Sequence, residues 1–125
     1  MVEFALVLPI LLVLLLGIMD FGWLFAGYLE LQNVARDEAR YAAVNKITDK
    51  TVFEQRVKDR MTILDPIKVV FNYTNSELYQ PNLSQAEYVE VNLGYPMKMM
   101  TPFIGSLVGD PIDLQSKMDM RVEWR

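Results

Sequence analysis

From Phe4 to Met19 the chain reads FALVLPILLVLLLGIM, a run without a single polar side chain. Asp20 interrupts it, and FGWLFAGYL follows. As one helix, Phe4 to Gly27 would be about 36 Å long, enough to cross a hydrocarbon core of ~30 Å with some tilt. A 125-residue chain allows one ordinary domain at most, too little to cover a helix that is apolar all round. A secretory signal would carry a basic start, an apolar region of roughly 7–15 residues and a small-residue cleavage site. No Lys or Arg precedes this run and no clean A-x-A follows it. A retained membrane helix is the reading that fits.

Composition divides the same way. The net charge is −4 and 52% of the residues are apolar, but Phe4 to Leu29 holds one charge, Asp20. Apart from Glu3, all the others fall from Glu30 onward. Cys and His are absent, which excludes thiol catalysis, disulfides, zinc fingers and imidazole acid–base chemistry. An acidic balance argues against nucleic acid as a partner. No Gly-rich phosphate loop or nucleophile elbow occurs, so neither an enzyme nor a cofactor is expected.

The helical pattern continues past the apolar run. Leu31, Val34, Ala35, Ala39 and Ala42 recur at helical spacing, while Asn33, Asp37 and Arg40 fall opposite. One helix from about Glu3 to Asn45 is predicted, about 65 Å long. Its first half, residues 1–28, is greasy on every side. Its second half, 29–46, is amphipathic and belongs to a head, residues 29–125. Pro9 removes one backbone donor and can bend the helix. Gly17, Gly22 and Gly27 are five apart and make no GxxxG face.

Thr51-Val-Phe-Glu54 has capping-box spacing, and a short helix over about 52–62 is predicted, ending before Asp65-Pro66. Beyond Pro66 the period becomes two. Strands are predicted at about 67–73, 87–95 and 112–124. In the last, Ile112, Leu114, Ser116, Met118, Met120, Val122 and Trp124 alternate with polar residues, the pattern of a half-buried antiparallel strand. Its apolar face needs cover, and the amphipathic helix half supplies it. The connections 75–86 and 96–111 read as loops, the second apolar through Met97, Met99, Met100, Phe103, Ile104 and Leu107. The fold class is therefore α+β: a long amino-terminal helix with a small antiparallel sheet on its outer half.

Val2-Glu3-Phe4-Ala5-Leu6-Val7-Leu8-Pro9, followed by Gly17-Ile18-Met19-Asp20-Phe21-Gly22, resembles the amino-terminal signature of TadE-like proteins. These are pilin-like subunits of tight-adherence pili, in the type IV filament superfamily. Leu31 to Arg36, Ala39 to Ala43, Gly94-Tyr95-Pro96 and Met120 to Glu123 also look like that family. The first 45 residues carry the specific part of the likeness. The resemblance implies a precursor cut on the cytoplasmic side by a prepilin peptidase, with a basic leader expected ahead of Met1. It also implies an inner-membrane assembly platform, a stay in the lipid bilayer, and then self-association or assembly with other pilins. The head would be extracytoplasmic and the product an extracellular pilus. Arg36, Arg40 and Lys46, counted alone, would place that side in the cytoplasm; the leader would carry the opposing charges.

On this reading Glu3, Phe4, Pro9, Asp20 and Trp23 are candidate subunit-interface residues. Leu31, Val34, Ala35, Ala39 and Ala42 are candidates for helix-to-head packing. Glu3 matches the acidic residue that follows the cut, where it would seek a neighbour's α-amino group; otherwise it is an acid favoured by the helix dipole. Asp20 either pairs with a basic side chain of another subunit or sits hydrated at the outer interface. Trp23, Phe25 and Tyr28 fit an aromatic belt or serve as ordinary packing residues. Asn72 and Asn82 head N-glycosylation sequons, a common chance pattern. The expected function is a structural pilus subunit, main or minor. The alternative is a bitopic assembly factor that is not itself polymerised.

Overall fold

A computed structural model describes residues 2–45, 50–66, 70–75, 88–121 and 123. Among them the element order is α1 (Val2–Val44), α2 (Lys50–Arg60), β1 (Val70–Asn75), β2 (Tyr88–Met97), α3 (Pro102–Val108) and β3 (Ile112–Arg121). The fold is α+β. A long apolar helix leads, and a small antiparallel sheet packs against it.

α1 is one helix of 43 residues that runs through Pro9 without a break. It ends on satisfied carbonyls. Tyr41 O accepts from Asn45 N (2.8 Å) and Asn45 Nδ2 (3.1 Å), and Ala43 O accepts from Glu123 N (2.9 Å). The last of these ties the segment after β3 to the far end of α1.

The sheet has the order β1-β2-β3, with both pairings antiparallel. Its register places Val89, Val91, Leu93, Tyr95 and Met97 opposite Met120, Met118, Ser116, Leu114 and Ile112. The period-two pattern therefore puts one face of β2 and of β3 toward α1. Leu31, Val34, Ala35, Ala39 and Ala42 of α1 close the core from the other side, with Phe53, Val57, Met61 and Leu64 from α2 and the segment after it. Small residues on α1 let the sheet come close. At Gly27 a Cβ would lie 2.7 Å from Met97 Sδ and 3.1 Å from Leu64 Cδ2.

Three expectations shift. The helix expected from Val52 starts at Lys50, so Thr51 lies inside its first turn and the capping-box spacing does not mark its boundary. The strand expected to stop at Tyr95 runs on through Pro96 to Met97. A proline lacks the N–H that a ladder uses, but here it occupies the penultimate position. The expected loop 96–111 contains α3, with Pro102 in its first turn. Gly109 closes α3 at φ 98°, and its N–H donates to Gly105 O at 2.9 Å. Helical periodicity cannot be read from seven residues that are apolar nearly throughout. Residues 67–69, 87, 122 and 124 of the predicted strands lie outside the described residues.

Candidate functional site

The first part of α1 is a bare stem. Its large apolar side chains from Phe4 to Met19 are all exposed, Phe4 by 72%. The helix is long and apolar enough to cross a membrane. Pro9 is exposed on this stem. Glu3 lies in the first turn, and its side chain is outside the described residues. Further along, the rings of Phe21 and Phe25 stack with centroids 6.3 Å apart. Trp23 is exposed at the rim of a shallow cleft shared with Ile63, Tyr95, Met97 and Lys98.

The head reaches further down the helix than residue 29. Buried or half-buried positions on α1 run Asp20, Leu24, Gly27, Leu31, Val34, Ala35, Glu38 and Ala42. Apart from the adjacent pair Val34 and Ala35, the steps are of three and four residues, which makes these one continuous stripe. A Cβ on Gly17 would lie 4.0 Å from Ile104 Cδ1 of α3. The contact face therefore begins near Gly17, because α3 folds back along the helix.

Asp20 is the centre of that lower joint. It is 1% exposed. Its Oδ1 accepts from Met100 N (3.0 Å) and Thr101 N (3.2 Å), and its Oδ2 accepts from the Thr101 hydroxyl. Sequence left this carboxylate to a neighbouring subunit or to water. The structure gives it to the chain's own head, at the residue that caps α3.

Two further acids on α1 also hold the head, and neither was singled out from sequence. Glu30 accepts from the N–H groups of Thr62 (2.6 Å), Ile63 (2.9 Å) and Leu64 (2.8 Å) and from the Thr62 hydroxyl (2.7 Å). Glu38 is fully buried and faces Arg56 Nε at 3.1 Å and Arg60 Nε at 3.4 Å. Arg56 lies 3.5 Å over the Tyr41 ring, and Arg60 also reaches Asp37 at 2.7 Å. A signal for Glu38 was present: it stands four residues after Val34 and four before Ala42, on the apolar stripe itself.

Burial pushes the Glu30 carboxyl up, but the Thr62 hydroxyl and the N–H groups of Ile63, Thr62 and Leu64 together outweigh it. Its pKa lies below the ordinary 4.5. A depressed folded value means that the stabilisation is present above 4.5 and is lost as the pH falls through the folded value. Amide exchange should therefore show protection at Thr62 to Leu64 falling on acidification below that point. Glu30→Gln should lower protection already at neutral pH and remove the acid step. A wild-type chain whose protection at these amides does not change with acid would contradict this.

Leu31, Val34, Ala35, Ala39 and Ala42 lie together in the core. Asn72 is in β1, paired with Asn92 of β2. Asn82 lies outside the described residues. Among the described residues no group of His, Cys, Asp or Glu side chains could hold a metal ion.

Residues 1–40 match the family model for TadE-like protein. The match covers the stem and the helix as far as Arg40, and it is the same family that the amino-terminal residues resemble. Comparison with curated proteins and with solved structures gives no match.

Proposed function

We propose that the chain is a structural, pilin-like subunit of a tight-adherence pilus, a member of the type IV filament superfamily. The carrying observation is the stem: a helix that is apolar and exposed on every side, joined to a head with a closed core. Such a surface needs a second solvent or a second copy. The bilayer serves before assembly and neighbouring stems serve in the filament, with Glu3, Phe4 and Pro9 in the contact. Trp23 lies at the outer end of the membrane-crossing stretch, where an indole favours the interface. On this reading a prepilin peptidase acts on the precursor, an inner-membrane platform extracts the subunit, and the head stays extracytoplasmic. The work is packing, with no reaction to catalyse.

Filaments sheared from cells test this, by electron microscopy with mass spectrometry of their chains. The chain is expected in the filaments, with a mature amino terminus near Glu3. A mature start after Tyr28 would make the stem a discarded signal and overturn the proposal.

One observation favours the second reading, a bitopic assembly factor. Contact with the head reaches Gly17, so the bare stem from Phe4 to Leu16 is only about 20 Å long. That leaves less helix for stem-to-stem packing. This reading expects the chain in membrane fractions and never in sheared filaments.

A further inference from the structure

We propose that α3 is a second membrane-inserting element, seated in the outer leaflet beside α1. The inference rests on the membrane reading of the stem and adds a lipid-facing surface on the head. At 1.5 Å per residue, a hydrocarbon core of ~30 Å that begins at Phe4 ends near Trp23. Gly17 and Asp20 then lie about 20 and 24 Å from the start, inside the outer leaflet. α3 is fixed at that level by Ile104 against Gly17 and by Thr101 on Asp20.

The surface of α3 suits that depth. Met99 to Gly109 carries no charge, and Lys98 and Asp110 flank it. Phe103, Leu107 and Val108 are exposed by 58%, 71% and 63%. They continue the apolar surface of the stem onto the head. Lys98 and Trp23 border one cleft, and both are residue types that favour the membrane interface. The backbone is prepared as well. In lipid an unpaired N–H is costly, and so is a lone carboxylate. Asp20 and the N–H groups of Met100 and Thr101 remove both costs by pairing with each other. The occupant of the α3 surface is therefore the lipid of the outer leaflet.

The chain has no Cys, so single-cysteine labelling tests the inference directly. Leu107→Cys, Val108→Cys, Leu12→Cys in the stem and Asp119→Cys on the exposed face of β3 would each carry an environment-sensitive fluorophore. The full chain would be reconstituted in phosphatidylcholine vesicles containing lipids with a nitroxide at a shallow or a deep acyl position. Loss of fluorescence at 107 and 108 to the shallow quencher, with 119 unaffected, is the expected result. If 12 is quenched while 107 and 108 behave like 119, the inference fails and the membrane reading stands. If 107 and 108 are blue-shifted but unquenched while 12 is quenched, protein covers α3, and the inference again fails. If 12 is also unquenched, the membrane reading falls and takes the inference with it. Two α3 positions guard against a local effect of either substitution, both of which replace exposed side chains.

Discussion

Asp20→Ala should release α3 from the helix, with a loss of roughly 3 kcal/mol at that joint. The carboxylate is buried and accepts two backbone N–H bonds and one hydroxyl. Hydrogen bonds to a charged group are worth about 1.5–3 kcal/mol each, and water recovers part of the loss once the joint opens. The readout is local. Lys98 precedes the clasped residues, so trypsin cleavage after it should accelerate on the order of a hundredfold if cleavage follows local opening. Asp20→Asn should be much milder, about 1 kcal/mol and about fivefold, because an amide oxygen can still accept the two N–H bonds. That contrast separates the clasp from an ion pair with another subunit, which both substitutions would remove equally. Equal cleavage rates for Asn and Ala would count against the clasp.

The carboxylate at 20 shows how far a sequence can be read. The stem, the amphipathic half of α1 and the alternating strands were legible because each repeats a period set by backbone geometry. Val89, Val91, Leu93 and Tyr95 share a face on arithmetic alone. The same arithmetic places Asp20 seven residues before Gly27 and eleven before Leu31, on the stripe that faces the head. What sequence could not give was the partner. The donors come from Met100 and Thr101, which precede a helix too short and too uniformly apolar to announce itself. Eighty residues separate Asp20 from those donors, and only the closing of β2 and β3 over α1 brings them together. Glu3 and Asn82 are a different matter: neither a side chain nor a neighbour is described for them.

Asp20, Glu30 and Glu38 now read as one device. They are ten and eight residues apart, so they mark heights about 15 and 12 Å apart along α1. Each takes donors from a different part of the head: the entry to α3, the segment after α2, and α2 itself. Apolar contact alone would allow the head to slide along a helix lined with alanine. Directional bonds at three heights fix its position along the axis, and this matters for a subunit whose stem and head face different surroundings.

The highest of the three gives the second large effect. Arg56→Met should destabilise the chain by about 3 kcal/mol, because it leaves the fully buried Glu38 carboxylate with Arg60 as its one cationic partner among the described residues. That remaining contact is poor: Arg60 Nε lies 3.4 Å from Oε1, and among the described residues Oε1 receives no hydrogen bond. The loss of the guanidinium over Tyr41 adds to the cost. Removing the other partner should be cheaper. In Glu38→Leu no charge stays buried, since the Arg56 and Arg60 side chains are 29% and 47% exposed and can turn to water. An apolar side chain at that position also continues the stripe between Ala35 and Ala42. We therefore expect Glu38→Leu to cost under about 1 kcal/mol, and Arg56→Met to cost far less in a Glu38→Leu background. Denaturant unfolding of the four chains in detergent measures the cycle. A Glu38→Leu chain less stable than Arg56→Met would mean that the pair attracts more than its burial costs. Its role would then be cohesion as well as register.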